Sequence, residues 1–215
     1  MKLRLGVLGS GKGSNFRAIM EAIRDGRLEA EVRVVISDVE DAGILTLARG
    51  FDVPCRYVPP GKFRTKLEPE IEQKIVQILR DAGVELVVLA GFMRVLKQVM
   101  LDAFAGRIIN IHPSLLPKFR GLAAWTQALN AYEQVTGCTV HYVDAGVDTG
   151  RILAQRTVPV MPDDTAERLH ARIQAAEHEL LPSVIAEISR NRVDRLPTVP
   201  GGASSFGPGT GGGSY

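Results

Sequence analysis

Short apolar runs alternate along the chain with stretches whose apolar residues recur every third or fourth position. "LRLGVLG" (3–9), "EVRVVISD" (31–38) and "PCRYVP" (54–59) predict strands. Between the first two, "NFRAIMEAIRDG" sets Phe16, Ile19, Met20 and Ile23 on one helical face and stops at Gly26. "AGILTLARG" (42–50) predicts a short helix. "PEIEQKIVQILRDAG" (69–83) carries Ile71, Ile75, Ile78 and Leu79 on one face. "ELVVLAG" (85–91) is apolar almost without interruption, as expected of a central strand buried on both sides. "RVLKQVMLDAF" (94–104) reads as a helix and "GRIINIH" (106–112) as the next strand. Such alternation predicts an α/β fold, a Rossmann-like, doubly wound and mostly parallel sheet.

The pattern changes after residue 112. "WTQALNAYEQ" (125–134) predicts a helix. "CTVHYVD" (138–144) and "RILAQRTVPV" (151–160) predict strands joined by "AGVDTG", a hairpin-like excursion. The last helical stretch opens at Asp164, with Glu167 three residues on in an N-capping arrangement. Leu169, Ile173, Ala176 and Leu180 form its inward face. From Leu196 the composition turns to Gly, Pro and Ser, which cannot build a core. The expected organisation is one domain over 1–195 and a disordered tail over 196–215. No internal repeat is visible.

Composition adds mainly exclusions. Over 215 residues the chain is 45% hydrophobic and 23% charged, with net charge +2. No dense Lys/Arg block asks for nucleic acid or a membrane surface. No stretch reaches transmembrane length, and "MKLRLGVLGSG" is too short in apolar residues and too Gly-rich for a signal peptide. Cys55 and Cys138 sit in strand-like runs and read as small buried hydrophobes rather than a disulfide. A reducing, cytoplasmic setting fits, with the protein a monomer or weak homodimer.

Candidate chemistry gathers in three places. In "IINIHPSLLPKFRG" (108–121), strand alternation turns Asn110 and His112 to one face and Ile109 and Ile111 to the other. An amide and a titratable ring then share the C-terminal edge of a strand, where α/β proteins bind ligands. The plain alternative is a satisfied polar pair. "GVLGSGKGSN" (6–15) nearly matches a nucleoside-triphosphate loop, but Gly13 stands where a Ser or Thr would ligate magnesium. It also misses the dinucleotide fingerprint, with Ser14 at the third glycine. What remains is close backbone approach and helix N-terminal N–H groups suited to an anion. Ser14 or Asn15 is a candidate cap. In "HYVDAGVDTG" (141–150), a carboxylate near His112 would raise the imidazole pKa and orient the ring. No metal-ligand spacing occurs, and Cys138 and His141 point to opposite faces, so no metal is expected. His141 reads as a sheet-face histidine with a local partner, and His170 as a solvated helix residue.

Taken together, "GSGKGSN", "LAGFMRVL", "NIHPSLLPKFRG", "TGCTVHYVDAGVDTG" and "AAEHELLP" occur in the order of the folate-dependent formyltransferases. Over about residues 1–190 the chain resembles that family, most of all its purine-synthesis branch. The resemblance implies the formyltransferase fold, 10-formyltetrahydrofolate as co-substrate and glycinamide ribonucleotide as acceptor. It also implies catalytic Asn110, His112 and Asp148, and a phosphate site at Gly13, Ser14 and Asn15. Glu177 is implied at the substrate amine, and a folate site at Arg64, Met93, Arg94, Val95, Leu96 and Asp144. Glu177 lies beside the inward face marked by Ile173 and Leu180, where an unpaired charge is costly. Arg172 is the competing partner for it. The sequence departs from the family pattern at Arg120, Ala123, Trp125 and Arg151. Two other readings stay open: an N-formyltransferase for another amine, such as an amino sugar nucleotide, and a non-catalytic folate- or nucleotide-binding module.

Overall fold

A computed structural model describes residues 1–193, so the tail expected over 196–215 and the boundary at 195 lie outside the described residues. One seven-stranded sheet runs through the molecule: β1 (Leu3–Leu8), β2 (Ala30–Ser37), β3 (Cys55–Tyr57), β4 (Leu86–Leu89), β5 (Ile108–His112), β6 (Val135–Tyr142) and β7 (Ile152–Pro159). Its order is β3-β2-β1-β4-β5-β6-β7. The first five strands pair in parallel, and β6 and β7 join antiparallel. The expected mostly parallel, doubly wound sheet is therefore what forms. The strand order reverses between β1 and β4, which opens a crevice beyond their C-terminal ends.

Strand alternation divides the core into two layers. Leu5 and Val7 of β1, Val88 of β4 and Ile109 and Ile111 of β5 face one side. There they pack with Phe16 and Ile19 of α1 (Ser14–Arg24), Ile44 and Leu45 of α2 (Gly43–Gly50), and Leu169, Ile173 and Leu181 of α6 (Ala166–Val193). Leu8, Val87, Leu89 and Ile108 face the other side, against Ile75 and Leu79 of α3 (Pro69–Asp81) and Met100 of α4 (Gln98–Ala103). The unbroken apolar β4 is the middle strand, with all four residues buried. β7 is the sheet edge opposite β3, and α5 (Ala124–Asn130) packs on α6.

Several boundaries differ from the sequence pattern, two of them for a clear local reason. The helix expected from residue 94 begins only at Gln98, because the buried Glu72 carboxylate accepts the N–H groups of Lys97 and Met100 and starts the helix there. This leaves 91–97 as a loop. The long helix is capped not by Asp164 but by Thr165, whose Oγ1 accepts the Arg168 N–H at 3.3 Å. Asp164 instead accepts from the Met161 N–H and from both terminal nitrogens of Arg172. Strand β6 starts earlier than expected and ends at Tyr142, releasing Val143 and Asp144 into a loop. Among the described residues no helix is long and apolar enough to cross a membrane.

Candidate active site

The glycine loop after β1 is stitched to its neighbours by backbone. Gly9 N–H donates to the Ile36 carbonyl of β2 (3.1 Å), and Ser10 N–H to Gly91 after β4 (3.0 Å). Ile44 N–H of α2 donates to Gly11 (3.0 Å). Gly13 occupies the cap position of α1 with φ 82°, a left-handed conformation that disfavours a side chain. No side chain caps the helix, so neither Ser14 nor Asn15 plays the expected capping part. The N–H groups of the first turn have no acceptor within the helix. Asn15 turns elsewhere. Its Nδ2–H donates to Glu177 Oε2 on α6 at 2.9 Å, and its Oδ1 is buried with no partner. Arg172, the other claimant for Glu177, is paired with Asp164. Burial pushes the Glu177 carboxyl up to about 7, against the opposing pull of the Asn15 hydrogen bond.

Across the crevice, the turn after β5 is fixed from below. Thr139 of β6 donates through Oγ1 to the Ser114 carbonyl (2.6 Å) and accepts from the Leu116 N–H (3.1 Å). Gln155 of β7 donates to both Leu116 and Thr139. The turn is thereby held so that the Phe119 carbonyl receives His112 Nε2–H at 2.9 Å. His112 Nδ1 then faces Asp148 Oδ2 at 3.3 Å. Asp148, on the loop after β6, has φ 52° and joins four groups. It accepts the Gly121 N–H (2.9 Å) and lies beside His112, the Asn110 amide (3.5 Å to Nδ2) and His141 Nε2 (3.5 Å).

His141 is the residue that sequence reasoning left outside the site. Register pairs it directly with Asn110. Its Nδ1–H donates to the Tyr142 carbonyl at 2.8 Å, so its Nε2 is free to accept from Asn110 Nδ2–H at 3.2 Å. One Asn110 hydrogen is thus held by His141, while the other has only the long contact to Asp148 and is available. The signal in the sequence was the alternation of Thr139 and His141, which shares a face with Asn110 and His112 once β6 lies beside β5.

The electrostatics correct one expectation. Asp148 does pull the His112 pKa upward, but burial of the ring is the larger influence and holds it below its ordinary value. For Asp148, burial acts upward, yet the neighbouring His141 ring, the charge of His112 and the Gly121 N–H together leave the carboxyl below its usual range. Both nitrogens of the His112 ring meet acceptors, Nε2 the Phe119 carbonyl and Nδ1 the Asp148 carboxylate. Only the imidazolium satisfies both, so the site is arranged to receive a proton that burial resists. Cys138, with its thiol pushed up to about 12 chiefly by burial, offers no thiolate.

These groups line one cavity of about 640 Å³, within the range of ordinary ligand sites. It runs from Gly11–Asn15 and Glu177, past Asn110, His112, His141 and Asp148, to Met93–Leu96 and Asp144. Arg64 is not on its wall; Thr65 is, and Arg64 is exposed. Arg94 lines the cavity, but its guanidinium is held by Asp38 and by the carbonyls of Phe63 and Arg64. Asp144 is exposed and accepts from Gly146 N–H and Thr149 Oγ1. Trp125 stacks on His170, with ring centroids 3.8 Å apart, and both line the wall. Among the described residues no group of three or more His, Cys, Asp or Glu is arranged to hold a metal.

A formyl transferase family model matches residues 3–185. The chain belongs to the formyl transferase family. It is 40% identical over 185 residues to a phosphoribosylglycinamide formyltransferase of Bacillus subtilis (strain 168), covering 86% of this chain and 94% of that protein. The glycinamide ribonucleotide transformylase 1 structure from Symbiobacterium toebii superposes with a TM-score of 0.85 at 45% identity, over 89% of each chain. A trifunctional purine biosynthetic protein of Drosophila pseudoobscura pseudoobscura is 44% identical over 200 residues. The match covers 91% of this chain but only 14% of that much longer protein, so it concerns one part of it.

Proposed function

We propose that this formyl transferase carries the formyl group of 10-formyltetrahydrofolate to the amine of glycinamide ribonucleotide, a step of de novo purine synthesis. The observation that carries the reading is the meeting of Asn110, His112 and Asp148 midway along a cavity bounded by a glycine loop on one side and residues 93–96 on the other. The names of the full-length relatives support the acceptor. The donor supplies a formyl carbon already bound to nitrogen.

Transfer forms one C–N bond to the acceptor amine and breaks one to the donor. One proton leaves the amine and one arrives on the donor nitrogen. Asn110 offers its less committed Nδ2–H to the formyl oxygen as negative charge develops there. His112, once protonated, adds a charged donor beside it. Asp148 stabilises that imidazolium and accepts a proton from the amine side. The side chains of Met93, Val95 and Leu96 and the exposed carboxylate of Asp144 form the donor wall. Arg64 enters only through its backbone, behind Arg94.

At the acceptor end we assign the phosphate to the N–H groups of Gly13, Ser14 and Asn15. The Asn15–Glu177 bond ties the carboxyl to this loop. Glu177 Oε and the unpartnered Asn15 Oδ1 thus form a buried pair of acceptors for hydrogen-bond donors of the ligand, its amine or its sugar hydroxyls. Cytoplasmic chemistry suits the two free thiols. The decisive assay offers one formyl donor to glycinamide ribonucleotide, to an amino sugar nucleotide and to water. Turnover selective for the first supports the reading; preference for the second, or none at high enzyme concentration, sinks it.

Glycine substitutions should separate ligand contact from folding. A Cβ on Gly13 would meet Ile44 Cα at 2.8 Å, at a φ of +82°, whereas one on Gly11 meets nothing within 4 Å. Gly13→Ala is therefore expected to lower the melting temperature. Gly11→Ala should keep it and raise the acceptor KM alone. A Gly11→Ala enzyme with unchanged acceptor KM would remove that glycine from the ligand surface.

Glu177 gives a pH signature. With its pKa raised to about 7, the folded state holds a proton that the unfolded state releases near 4.5. Its stabilising contribution is full below about pH 4.5 and is lost as pH rises through 7. The loss is on the order of 3 kcal/mol, from about 1.4 kcal/mol per pH unit. Glu177→Gln carries no such charge. It should melt like wild type at pH 5 and several degrees higher at pH 8. Equal melting curves at pH 8 would show that the buried carboxylate is not the strained group.

A further inference from the structure

The donor-side wall and the glycine loop are joined by a small network, built on the buried Asp38 and open at its outer edge, that the transfer chemistry does not use. Asp38 follows β2 and is 5% exposed. Its Oδ1 accepts Ser10 Oγ–H at 2.5 Å, and its Oδ2 accepts Arg94 Nε–H at 2.6 Å. Ser10 Oγ in turn accepts the Met93 N–H at 2.9 Å. Ser10 immediately precedes Gly11, where the acceptor loop enters the cavity wall, and Met93 opens the donor wall. Arg94 Nη1 extends the network outward. It donates to the Phe63 carbonyl at 3.0 Å and to that of Arg64. The adjoining Thr65 carbonyl receives Val95 N–H at 2.8 Å, and Thr65 itself lines the cavity.

The guanidinium is thus occupied on several sides by protein acceptors, with 15% of the side chain exposed. A cation so engaged is a poor direct contact for a ligand. It is a good cross-brace, because its rigid fork fixes several acceptors at once. The segments it ties, residues 10, 38, 63–66 and 93–95, come from four separate connections and hold one another through a single carboxylate. Their backbone has little regular structure of its own, so side-chain bonds must set its shape.

We propose that Asp38 is a positioning residue that, through Arg94 and Ser10, holds the donor wall in register with the glycine loop. The sides are named on the functional reading above. Arg94 acts on the donor through the backbone it orders, not by touching it.

Ser10→Ala and Arg94→Lys test this without leaving Asp38 or a buried cation stranded. Ser10→Ala deletes the bond to Asp38 and the acceptor of Met93 N–H, at an exposed edge that water can fill. Arg94→Lys keeps a charge for Asp38 but cannot also fork to Phe63 and Arg64. Each is expected to raise the donor KM roughly tenfold, the scale of one charge-assisted hydrogen bond. The acceptor KM should stay within about twofold. Calorimetric titration of tetrahydrofolate should show the same loss. A donor KM unchanged in both variants overturns the proposal. So does a parallel loss of donor and acceptor affinity that tracks a fallen melting temperature, since general loosening then explains it. If wild type itself fails to formylate glycinamide ribonucleotide, the acceptor assignment falls instead, and the tetrahydrofolate titration still reads the brace.

Discussion

Replacing Asp148 with asparagine is expected to lower kcat by about 10²–10³-fold while leaving the chain folded, the range of a lost acid–base partner. Asparagine tolerates the left-handed backbone at φ 52° and can still accept the Gly121 N–H. What disappears is the charge 3.3 Å from His112 Nδ1. Burial already holds the His112 pKa down, and Asp148 is the chief influence opposing it. The variant ring should therefore titrate lower still and be neutral when the formyl oxygen needs a charged donor. An NMR titration of His112 beside the kinetics checks both halves. An unchanged His112 titration with lost activity would move Asp148 to direct proton transfer alone; full activity would remove it from the mechanism.

The fold was legible because its signals are local. The unbroken "LVVL" run predicted a strand buried on both faces, and β4 is the middle strand. Two-residue alternation in "IINIH" predicted which side carries Asn110 and His112, and Ile109 and Ile111 do pack on the opposite layer. What sequence could not supply were partners set by long-range packing. Asn15 and Glu177 lie 162 positions apart, so nothing near either one told that the amide of a presumed anion loop would be spent on a carboxylate. Glu72 moved the start of a helix by bonding Lys97 from another element. Arg94 sits within a motif that suggested ligand contact, yet its acceptors come from residues 38, 63 and 64. His141 was invisible for a related reason. Its face was predicted correctly, but its meaning depended on β6 pairing with β5 in a register that puts it opposite Asn110.

That register makes the second large effect. Asn110→Ala is expected to cost at least about 10²-fold in kcat, the usual loss for one oxyanion donor. The residue is half-buried at a strand end, so the fold should survive. His141 makes no predicted contact with the reacting atoms; it holds the Asn110 amide by accepting one Nδ2–H at 3.2 Å while its own Nδ1–H is fixed on Tyr142. With this acceptor gone, the amide is free to rotate and turn its oxygen toward the formyl oxygen, which repels it. His141→Phe fills the same buried space without an acceptor. It should lower kcat by roughly 10-fold, within the range of a misplaced catalytic group. The informative measurement is the double variant. If His141 acts through Asn110, adding His141→Phe to Asn110→Ala should change kcat little further, because there is no amide left to orient. If the two losses multiply instead, His141 has its own role at Asp148 Oδ1, 3.5 Å from its Nε2. The pH profile then distinguishes the two. An orienting histidine that stays neutral leaves the acid limb of kcat where it was, whereas one sharing the proton with Asp148 shifts it.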